Sequence, residues 1–514
     1  MKAKDYQISS EKFVLVGNNR NIHDTKLETK PVTYFKDAMN RFAKNKGSIV
    51  AAFIIAFLVL FAIVAPWCTP YTVSYEDITY RDAMPRNQIF YKLGIHFWDG
   101  TKKVEINKST LTMYNAIEEE IGREVIIGEP KEVISETMGK KSLVYKVRLD
   151  TYSKVGAEFI DLTESEYLAL QAYQNRTNKR VILPITDPTL RPQASQDINE
   201  ANYWFQTRLG AGLKTEIVYD ENGKLIPAYK AYSGTDLYDS IRVEGDTPKY
   251  DYALKKQGLW QVRVDYYEYY IYFHQEVKDD GIKAPSFILG ADAAGKDLFV
   301  CLGSGARFSF ILAILVAVVN LVVGAIYGAI EGYYGGKVDL IMERICDILS
   351  AIPFMIVITL LKYHLKVSHM LILFISFFLT GWIGMAARTR MQFYRFKNQE
   401  YVLVARTLGA KDSRIMFKHI FPNAIGTLIT GSVLVIPSVI FSETSLSYLG
   451  IIDLNTGSMT SVGTLLSNGQ ANLILNPNII VWPSIFISLL MLSFNLFGNG
   501  LRDAFNPSLR GTEE

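Results

Sequence analysis

One segment of the chain has the spacing of a phosphate-binding loop. Gly290, Gly295 and Lys296 fit the pattern G-x-x-x-x-G-K, in which backbone N–H groups and a lysine hold the phosphates of a nucleotide. The next residue is Asp297, where the pattern needs a serine or threonine to bind Mg²⁺. A carboxylate at that position would also repel phosphate. We therefore expect no ATP site in this segment.

The sequence lacks the other common patterns of a catalytic or metal site. It contains no H-E-x-x-H, no C-x-x-C and no G-x-S-x-G, and its six histidines are dispersed. Cys68 and Cys301 flank one polar region, where we expect two reduced, partly buried thiols, with a disulfide as the alternative. Cys346 lies in an apolar run and is expected to pack there. We expect no enzyme activity, no cofactor and no metal in the chain itself.

The overall composition excludes two broad classes of protein. The 514 residues include 54 Lys and Arg against 51 Asp and Glu, a net charge of +3, which excludes nucleic-acid binding by bulk charge. A hydrophobic fraction of 49% with 20% charged residues excludes a mostly disordered chain. The elements that must position any functional residues are therefore folded ones.

Six apolar runs predict membrane-spanning helices, each of which needs about 20 mainly apolar residues. They occupy residues 49–65, 308–327, 345–361, 370–387, 420–441 and 479–497. The first run is not expected to be a signal peptide, because a long polar and basic segment precedes it.

The distribution of basic residues predicts the orientation of these helices. Residues 388–418 contain eight Lys and Arg against two acids, Glu400 and Asp412, whereas residues 444–478 contain one charge, Asp453. Because short cytoplasmic loops are rich in Lys and Arg, the first segment is expected inside the cell and the second outside. Six crossings then place both termini in the cytoplasm and residues 67–305 outside.

The sequence thus divides into five parts. They are a cytoplasmic segment (1–47), a first transmembrane helix (48–66), an extracellular region (67–305), a five-helix core with a cytoplasmic loop at 388–420 (306–500) and a cytoplasmic tail (501–514). A structureless segment as long as the extracellular region is improbable, so we expect a folded domain there.

Local patterns predict that the extracellular domain is α+β. A capping box begins a helix at Thr163, and Asn222-Gly223 between apolar residues predicts a hairpin. Further expected elements are a helix at 109–121, a strand at 142–150 and one or two strands at 259–274.

Three charged residues lie near the ends of apolar runs. Arg344 and Asp347 lie near the start of the third run, and Glu443 lies near the end of the fifth. Charges within a membrane often mark function, but charges near a helix end reach water at little cost. We expect these three to be solvated or paired.

The cytoplasmic loop carries the most informative pattern. A short helix is predicted from Glu400 to Leu408, and Gly409 can adopt the positive φ that ends it. A second helix follows, with Pro422 near its start. An ordinary basic loop would leave Leu403 and Leu408, with Val404, uncovered on the first helix, so a docking partner is the better interpretation.

This loop resembles the coupling-helix signature of ABC importer permeases of the oligopeptide/dipeptide/nickel branch. That signature runs E-Y-V-x-A-A-R-x-L-G-A and then H-I-L-P-N; here Val404 replaces one alanine and Phe421 the leucine. Segments 305–309, 332–339, 446–450 and 494–507 are also similar to the OppC/DppC-type subunit of that family. The resemblance covers residues 30–87 and 284–510.

The extracellular region departs from the family pattern. The family has one short segment there, and its first part is matched by Pro70-Tyr71 and its second by residues 284–297. We therefore expect a soluble domain of roughly 195 residues, near 88–283, to be inserted into a segment that is short in the family. Surface loops accept such insertions when their ends lie close.

The resemblance implies an all-α permease fold of type I importers, with six transmembrane helices, in the bacterial plasma membrane. It implies a second permease subunit in a heterodimer, two cytoplasmic ATPases that carry ATP and Mg²⁺, and an extracellular substrate-binding protein, with short peptides as cargo. A nickel or metal permease of the same family is the alternative, and a membrane-anchored receptor is a more distant one. The residues expected to couple to the ATPases are Glu400, Tyr401, Ala405, Arg406, Gly409, Ala410, His419 and Pro422.

The inserted domain has two open interpretations. It could receive the substrate-binding protein, with the aromatic segment 266–273 as a contact face. The alternative is that these aromatic residues are the alternating core residues of a strand.

Overall fold

The computed structural model describes residues 34–95, 97–137, 140–191, 200–210, 215–232, 249–454, 459–474 and 476–505. Most of the predicted N-terminal segment and all but the first five residues of the predicted C-terminal tail lie outside the described residues.

The described residues form helices and three small sheets. In chain order, the helices are α1 (Tyr34–Lys44), α2 (Lys46–Val64), α3 (Gln88–Lys92), α4 (Lys108–Ile121), α5 (Glu164–Thr177), α6 (Tyr266–Tyr272), α7 (Leu298–Tyr334), α8 (Gly336–Ser350), α9 (Phe354–His364), α10 (His369–Phe396), α11 (Glu400–Thr407), α12 (Asp412–Arg414), α13 (Phe421–Val433), α14 (Val435–Tyr448), α15 (Val462–Gln470) and α16 (Asn478–Phe505). The strands are β1 (Thr101–Ile106), β2 (Lys131–Thr137), β3 (Lys140–Asp150), β4 (Ala157–Leu162), β5 (Ile182–Leu183), β6 (Thr207–Leu209), β7 (Thr215–Ile217), β8 (Ala253–Lys256) and β9 (Leu259–Asp265).

Five helical segments are long and apolar enough to cross a membrane. They are Lys46–Trp67, Leu298–Tyr334, His369–Phe396, Asp412–Tyr448 and Asn478–Phe505. These spans confirm five of the six predicted transmembrane segments. The protein is a mostly helical, polytopic membrane protein.

The third apolar run does not form the single straight helix that the sequence predicted. It is divided between α8 and α9, which are bent by 71°, so a sixth span exists only if this pair counts as one. Pro353 lies in the break with an extended backbone (φ −60°, ψ 126°). Proline cannot donate a helical hydrogen bond and disfavours helix at the residue before it, which explains the break.

The inserted domain is α+β, as predicted. Its first sheet has the antiparallel order β1-β3-β2, and its second has the order β4-β9-β5, with β8 also paired to β9. Helix α4 covers one face of the first sheet, where Ile117 packs with Val147 and Leu149. Helix α5 covers the second sheet through Tyr167 and Leu170.

Several local predictions within this domain are confirmed. Thr163 and Glu166 form a reciprocal capping box at the start of α5. Gly223 takes a φ of 77° in the predicted hairpin, where the Asp220 N–H donates to the Lys224 carbonyl at 2.8 Å. The predicted helix at 109–121 is α4, and the predicted strand at 142–150 is part of β3.

The prediction of strand throughout residues 259–274 is wrong in its second half. Strand β9 ends at Asp265, whose carboxylate accepts the Tyr267 N–H at 3.2 Å and caps α6. A π-helical turn then extends to Val277. Tyrosine favours strands, but that preference depends on packing, and here Tyr270 and Tyr272 are buried on a helix. The aromatic segment is therefore neither a strand nor an exposed contact face.

The two ends of the inserted domain lie side by side, next to the residues that lead into α7. The Arg86 N–H donates to the Phe287 carbonyl at 2.8 Å, and Ser286 Oγ donates to the Arg86 carbonyl at 3.0 Å. The Arg86 guanidinium is buried against Asp150 of β3, with Nη2 and Oδ2 2.5 Å apart. The entry and exit of the insertion thus lie side by side.

All three cysteines are free, as expected, and no disulfide joins Cys68 to Cys301. Cys301 and Cys346 are buried, whereas Cys68 is exposed rather than partly buried.

Candidate coupling site

The loop between α10 and α13 is built around one glycine. Helix α11 ends at Thr407, and Gly409 follows with a φ of 79°, the left-handed conformation that the sequence predicted. The Ala410 N–H donates to the Ala405 carbonyl at 3.1 Å, and the Gly409 N–H donates to the Arg406 carbonyl at 3.0 Å. This pair of bonds is a Schellman motif, which satisfies the last carbonyls of the helix and reverses the chain.

Two contacts hold the loop and its helix α11 against α7 and α10. Val402 is fully buried in an apolar cluster with Tyr333 of α7 and Phe393 of α10. The Tyr333 hydroxyl donates to Asp412 Oδ1 at 2.6 Å, on the second half of the loop. The loop is therefore held against the ends of α7 and α10 rather than hanging free.

The opposite side of α11 is apolar and exposed. Leu403, Val404 and Leu408 are 45%, 56% and 82% exposed, respectively. A burial-driven fold leaves few such residues together on a short helix unless another protein covers them. This arrangement, one residue buried and three exposed, makes α11 a firmly anchored helix with a free apolar surface.

The predicted coupling residues are brought together on this loop. Tyr401 also links the two halves, since its hydroxyl accepts a hydrogen bond from Asn423 Nδ2 at 3.3 Å. Desolvation raises the pKa of Tyr401 above its ordinary value. Those exposed are Glu400, Tyr401, Arg406, Gly409 and Pro422; those half-buried are Ala405, Ala410 and His419.

An ion-pair cluster that sequence reasoning missed lies behind the loop. Arg390 of α10 donates to Asp339 at 2.6 Å and to Glu343 at 2.6 Å, both on α8. Lys397 Nζ donates to the Gly332 carbonyl of α7 at 2.9 Å. These bonds tie α7, α8 and α10 together where they meet the loop.

A glycine stripe on α7 was also missed, although its four-residue spacing is visible in the sequence. Gly324, Gly328 and Gly332 face α10, and a Cβ added at Gly328 would lie 2.1 Å from the Ala386 carbonyl oxygen. Small residues at this spacing let membrane helices approach to backbone contact. The stripe fixes α7 against α10 and so sets the position of Tyr333.

The charges near the helix ends behave differently from one another. Arg344 and Asp347 form an exposed pair at 2.8 Å, as expected. Glu443 is not solvated: it is fully buried, and its carboxylate accepts hydrogen bonds from Ser309 at 2.8 Å and from Ser447 at 3.0 Å. It links α14 to α7 inside the helix bundle.

In the loop that resembles a phosphate-binding site, an aspartate of the loop itself binds the backbone N–H groups. Asp292 Oδ1 accepts the N–H groups of Ala294 and Lys296, both at 2.9 Å. The Lys296 amine pairs with Glu76 at 3.0 Å. In the described parts of the chain, no group of three His, Cys, Asp or Glu side chains could hold a metal ion.

Two family models match parts of this chain. Residues 321–511 match the model of the binding-protein-dependent transport system inner membrane component, and residues 33–88 match the N-terminal TM domain of oligopeptide transport permease C. The chain is 43% identical over 221 residues to the oligopeptide transport system permease protein OppC of Bacillus subtilis, covering 43% of this chain and 72% of that protein. The chain belongs to the binding-protein-dependent permease family.

Other relatives place this ABC importer permease in the same branch. It is 37% identical over 227 residues to the dipeptide transport system permease protein DppC of Bacillus subtilis, covering 43% of this chain and 68% of the relative. It is 30% identical over 256 residues to the glutathione transport system permease protein GsiD of Pectobacterium atrosepticum, covering 49% and 83%. The two matched family ranges leave residues 89–320 between them, a stretch that contains the inserted domain.

Proposed function

We propose that the permease forms half of the translocation path for short peptides in the bacterial plasma membrane. A second permease subunit completes the path, and two cytoplasmic ATPases, which carry ATP and Mg²⁺, drive it. The observation that carries this proposal is α11, a helix anchored by Val402 that leaves Leu403, Val404 and Leu408 exposed for a docking partner.

We place α11 and both termini in the cytoplasm and the inserted domain outside the cell. Helix α7 has 37 residues, begins beside the inserted domain and ends at Tyr333 and Tyr334, beside the loop. At 1.5 Å per residue, α7 is about 55 Å long, which exceeds the bilayer core of about 30 Å. The inserted domain and the loop therefore lie on opposite sides of the bilayer. The basic residues of the loop support the cytoplasmic assignment.

The proposed coupling runs through contacts on the loop. Closure of the ATPases would push on α11, and the Tyr333–Asp412 hydrogen bond and the Val402 cluster would pass that displacement to α7 and α10. Such coupling requires an element with two arrangements that both sites bias. The docked loop with its two helices is that element; Glu400 and Arg406 are exposed on it, and His419 is half-buried.

The cargo is tested by uptake of labelled short peptides, with nickel assayed in parallel, in a deletion strain and in the complemented strain. We expect peptide uptake to be lost on deletion and restored on complementation. If only nickel uptake responds, the cargo is a metal and the peptide proposal is wrong, while the permease role stands.

Replacing Gly409 by valine tests the coupling role of the loop. A β-branched side chain at a φ of 79° costs about 1–2 kcal/mol, although nothing lies near enough to clash. We expect uptake to fall by roughly tenfold while the chain still inserts into the membrane. Gly409→Asn is the matched control, since asparagine tolerates this conformation and should retain uptake.

A second control separates coupling from general strain. Gly258 also has a positive φ (91°) with open space around it, but it lies in the turn between β8 and β9. We expect Gly258→Val to leave uptake unchanged. If Gly409→Val retains insertion, ATPase association and full uptake, the coupling assignment is wrong.

We further propose that the inserted domain receives the substrate-binding protein. The β2–β3 hairpin carries an exposed apolar pair, Ile134 and Leu143, which are cross-strand neighbours. Strand β1 pairs with β3 only as far as Tyr145, so this pair lies on a part of the hairpin that extends past β1. An extended arm with apolar side chains suits capture of a partner at the outer mouth of the path.

We expect Ile134→Lys combined with Leu143→Lys to weaken binding of the substrate-binding protein by about tenfold or more, because two buried apolar contacts are lost. Leu209→Lys, at an exposed residue of β6, is the matched control. Binding to the purified complex by surface plasmon resonance checks this. Equal affinity for the double variant and the control would exclude the hairpin as the docking site.

Point substitutions are preferable to deletion of residues 88–283. Such a deletion would leave the buried Arg86 guanidinium without its partner Asp150. The deletion would also remove Tyr152 and Tyr270, against which Tyr80 and Phe287 pack, and so would expose apolar surface of the permease part.

A further inference from the structure

A cavity of about 350 Å³ lies between α10, α13 and α16, and three arginines line it. They are Arg388 and Arg395 of α10 and Arg502 of α16. The cavity is at the end of the bundle that bears α11, since α10 runs directly into the coupling loop. It is distinct from the α11 surface itself, which is formed by other residues.

The charged side chains that line this cavity are all positive. No aspartate or glutamate lines it, and among the described residues none of the three arginines has a carboxylate within ion-pair distance. Arg388 Nη1 donates only to the Gly431 carbonyl, at 3.2 Å. Arg390, two residues along the same helix, is by contrast fully engaged by Asp339 and Glu343. The cavity therefore presents guanidinium groups that could bind an anion.

The remaining walls of the cavity are amphiphilic. Gln392 and Thr427 contribute polar groups, while Leu434 and Phe505 contribute apolar surface. Phe505 also packs against Ala38 and Phe42 of α1, a short helix whose other side carries exposed lysines. Arg388 follows directly after the apolar run 370–387, and Arg502 follows the run 479–497. The cavity therefore lies where the apolar segments end, at the level of the lipid headgroups.

We propose that this cavity binds the phosphate of an anionic phospholipid from the cytoplasmic leaflet. The arginines would donate to the phosphate oxygens, and Leu434 and Phe505 would contact the glycerol and the first acyl carbons. Basic pockets between membrane helices on the cytoplasmic side are suited to such headgroups. The cytoplasmic assignment rests on the orientation proposed above.

The test measures lipid retention by the full-length chain, purified with the subunits that accompany it. Mixed vesicles of phosphatidylglycerol and phosphatidylcholine supply the probes, and native mass spectrometry counts the lipids that remain bound. We expect preferential retention of phosphatidylglycerol, reduced about 30-fold by Arg388→Gln combined with Arg502→Gln. Arg344→Gln, at an exposed arginine outside the cavity, should retain the wild-type preference.

Three outcomes would overturn the proposal. One is equal retention of both lipids by the wild-type chain, and a second is full displacement of phosphatidylglycerol by inorganic phosphate alone. In the third, the double variant keeps its lipid preference and still takes up amidated peptides, but it no longer takes up peptides with a free C-terminal carboxylate. The cavity would then be part of the peptide path. Lipid retention does not require coupling to the ATPases, so failure of the coupling proposal would leave this result unaffected.

Discussion

Replacing Arg263 by alanine is expected to unfold the inserted domain while leaving the membrane helices in place. The Arg263 guanidinium is fully buried, and its Nη1 donates to Glu120 Oε1 at 2.6 Å and to the Pro184 carbonyl at 3.1 Å. Its Nε donates to the Ala201 carbonyl at 2.5 Å. This one side chain joins β9 of the second sheet to α4, which covers the first.

The expected loss is large because alanine would leave the Glu120 carboxylate buried without a counter-charge. Tyr229 still donates to it at 2.9 Å, but one neutral hydrogen bond does not replace an ion pair. Breaking a buried pair in this way costs about 3–5 kcal/mol, a large part of the 5–15 kcal/mol that stabilises a typical domain. Thermal unfolding and limited proteolysis of the full chain in detergent would report the loss.

Two variants make this prediction specific. Arg176 pairs with Glu276 at 2.8 Å on the surface, with 63% of its side chain exposed, so Arg176→Ala is expected to cost under about 1 kcal/mol. Arg263→Met combined with Glu120→Leu removes both charges and is expected to be far less harmful than the single change. If Arg263→Ala and Arg176→Ala lower the unfolding temperature equally, the buried pair is not what holds the two sheets together.

The contrast between this ion pair and the coupling loop shows which features the sequence could predict. Gly409 ends α11 through bonds that reach only five residues back, and Thr163 begins α5 through a residue three positions away. Such signals are local, so one sequence suffices to find them. Arg263 and Glu120 are 143 residues apart, and no local pattern pairs them.

The incorrect predictions also have physical causes that can be traced to particular residues. The tyrosines of segment 259–274 predict a strand, but Asp265 caps a helix that buries Tyr270 and Tyr272 instead. Composition alone predicts one helix over the third apolar run, although Pro353 within it is a visible helix breaker. The exposed side of α11 was predicted correctly, whereas its anchor Val402 depends on contacts with α7 and α10 that only the fold supplies.

Replacing Gly328 by leucine is expected to prevent α7 and α10 from packing and so to abolish the folded permease. A Cβ at this position would lie 2.1 Å from the Ala386 carbonyl oxygen and 2.9 Å from Thr389 Cβ. The first contact is with backbone inside a helix, which cannot rotate aside as a side chain can. Overpacking commonly costs 1–3 kcal/mol, and a leucine at a backbone contact is expected to exceed that range.

Gly384→Leu is the matched control, because nothing within the described residues lies within 4 Å of a Cβ added there. We expect this variant to unfold at the wild-type temperature when purified, whereas Gly328→Leu yields little folded chain. Equal yield and stability of the two variants would show that the glycine stripe is not a close helix contact.

The milder change Gly328→Ala separates the role of this contact in folding from its role in coupling. Alanine adds the same Cβ and so also pushes the two helices apart, but it lacks the three further side-chain carbons of leucine. We therefore expect a folded chain with a displaced Tyr333. Tyr333 holds Asp412 of the coupling loop at 2.6 Å, and its displacement would loosen α11 from α7. We therefore expect Gly328→Ala to retain ATPase association but to transport fewer peptides for each ATP hydrolysed. If transport per ATP stays at the wild-type value, the α7–α10 contact serves folding alone, and the displacement of the loop must reach the path through other helices.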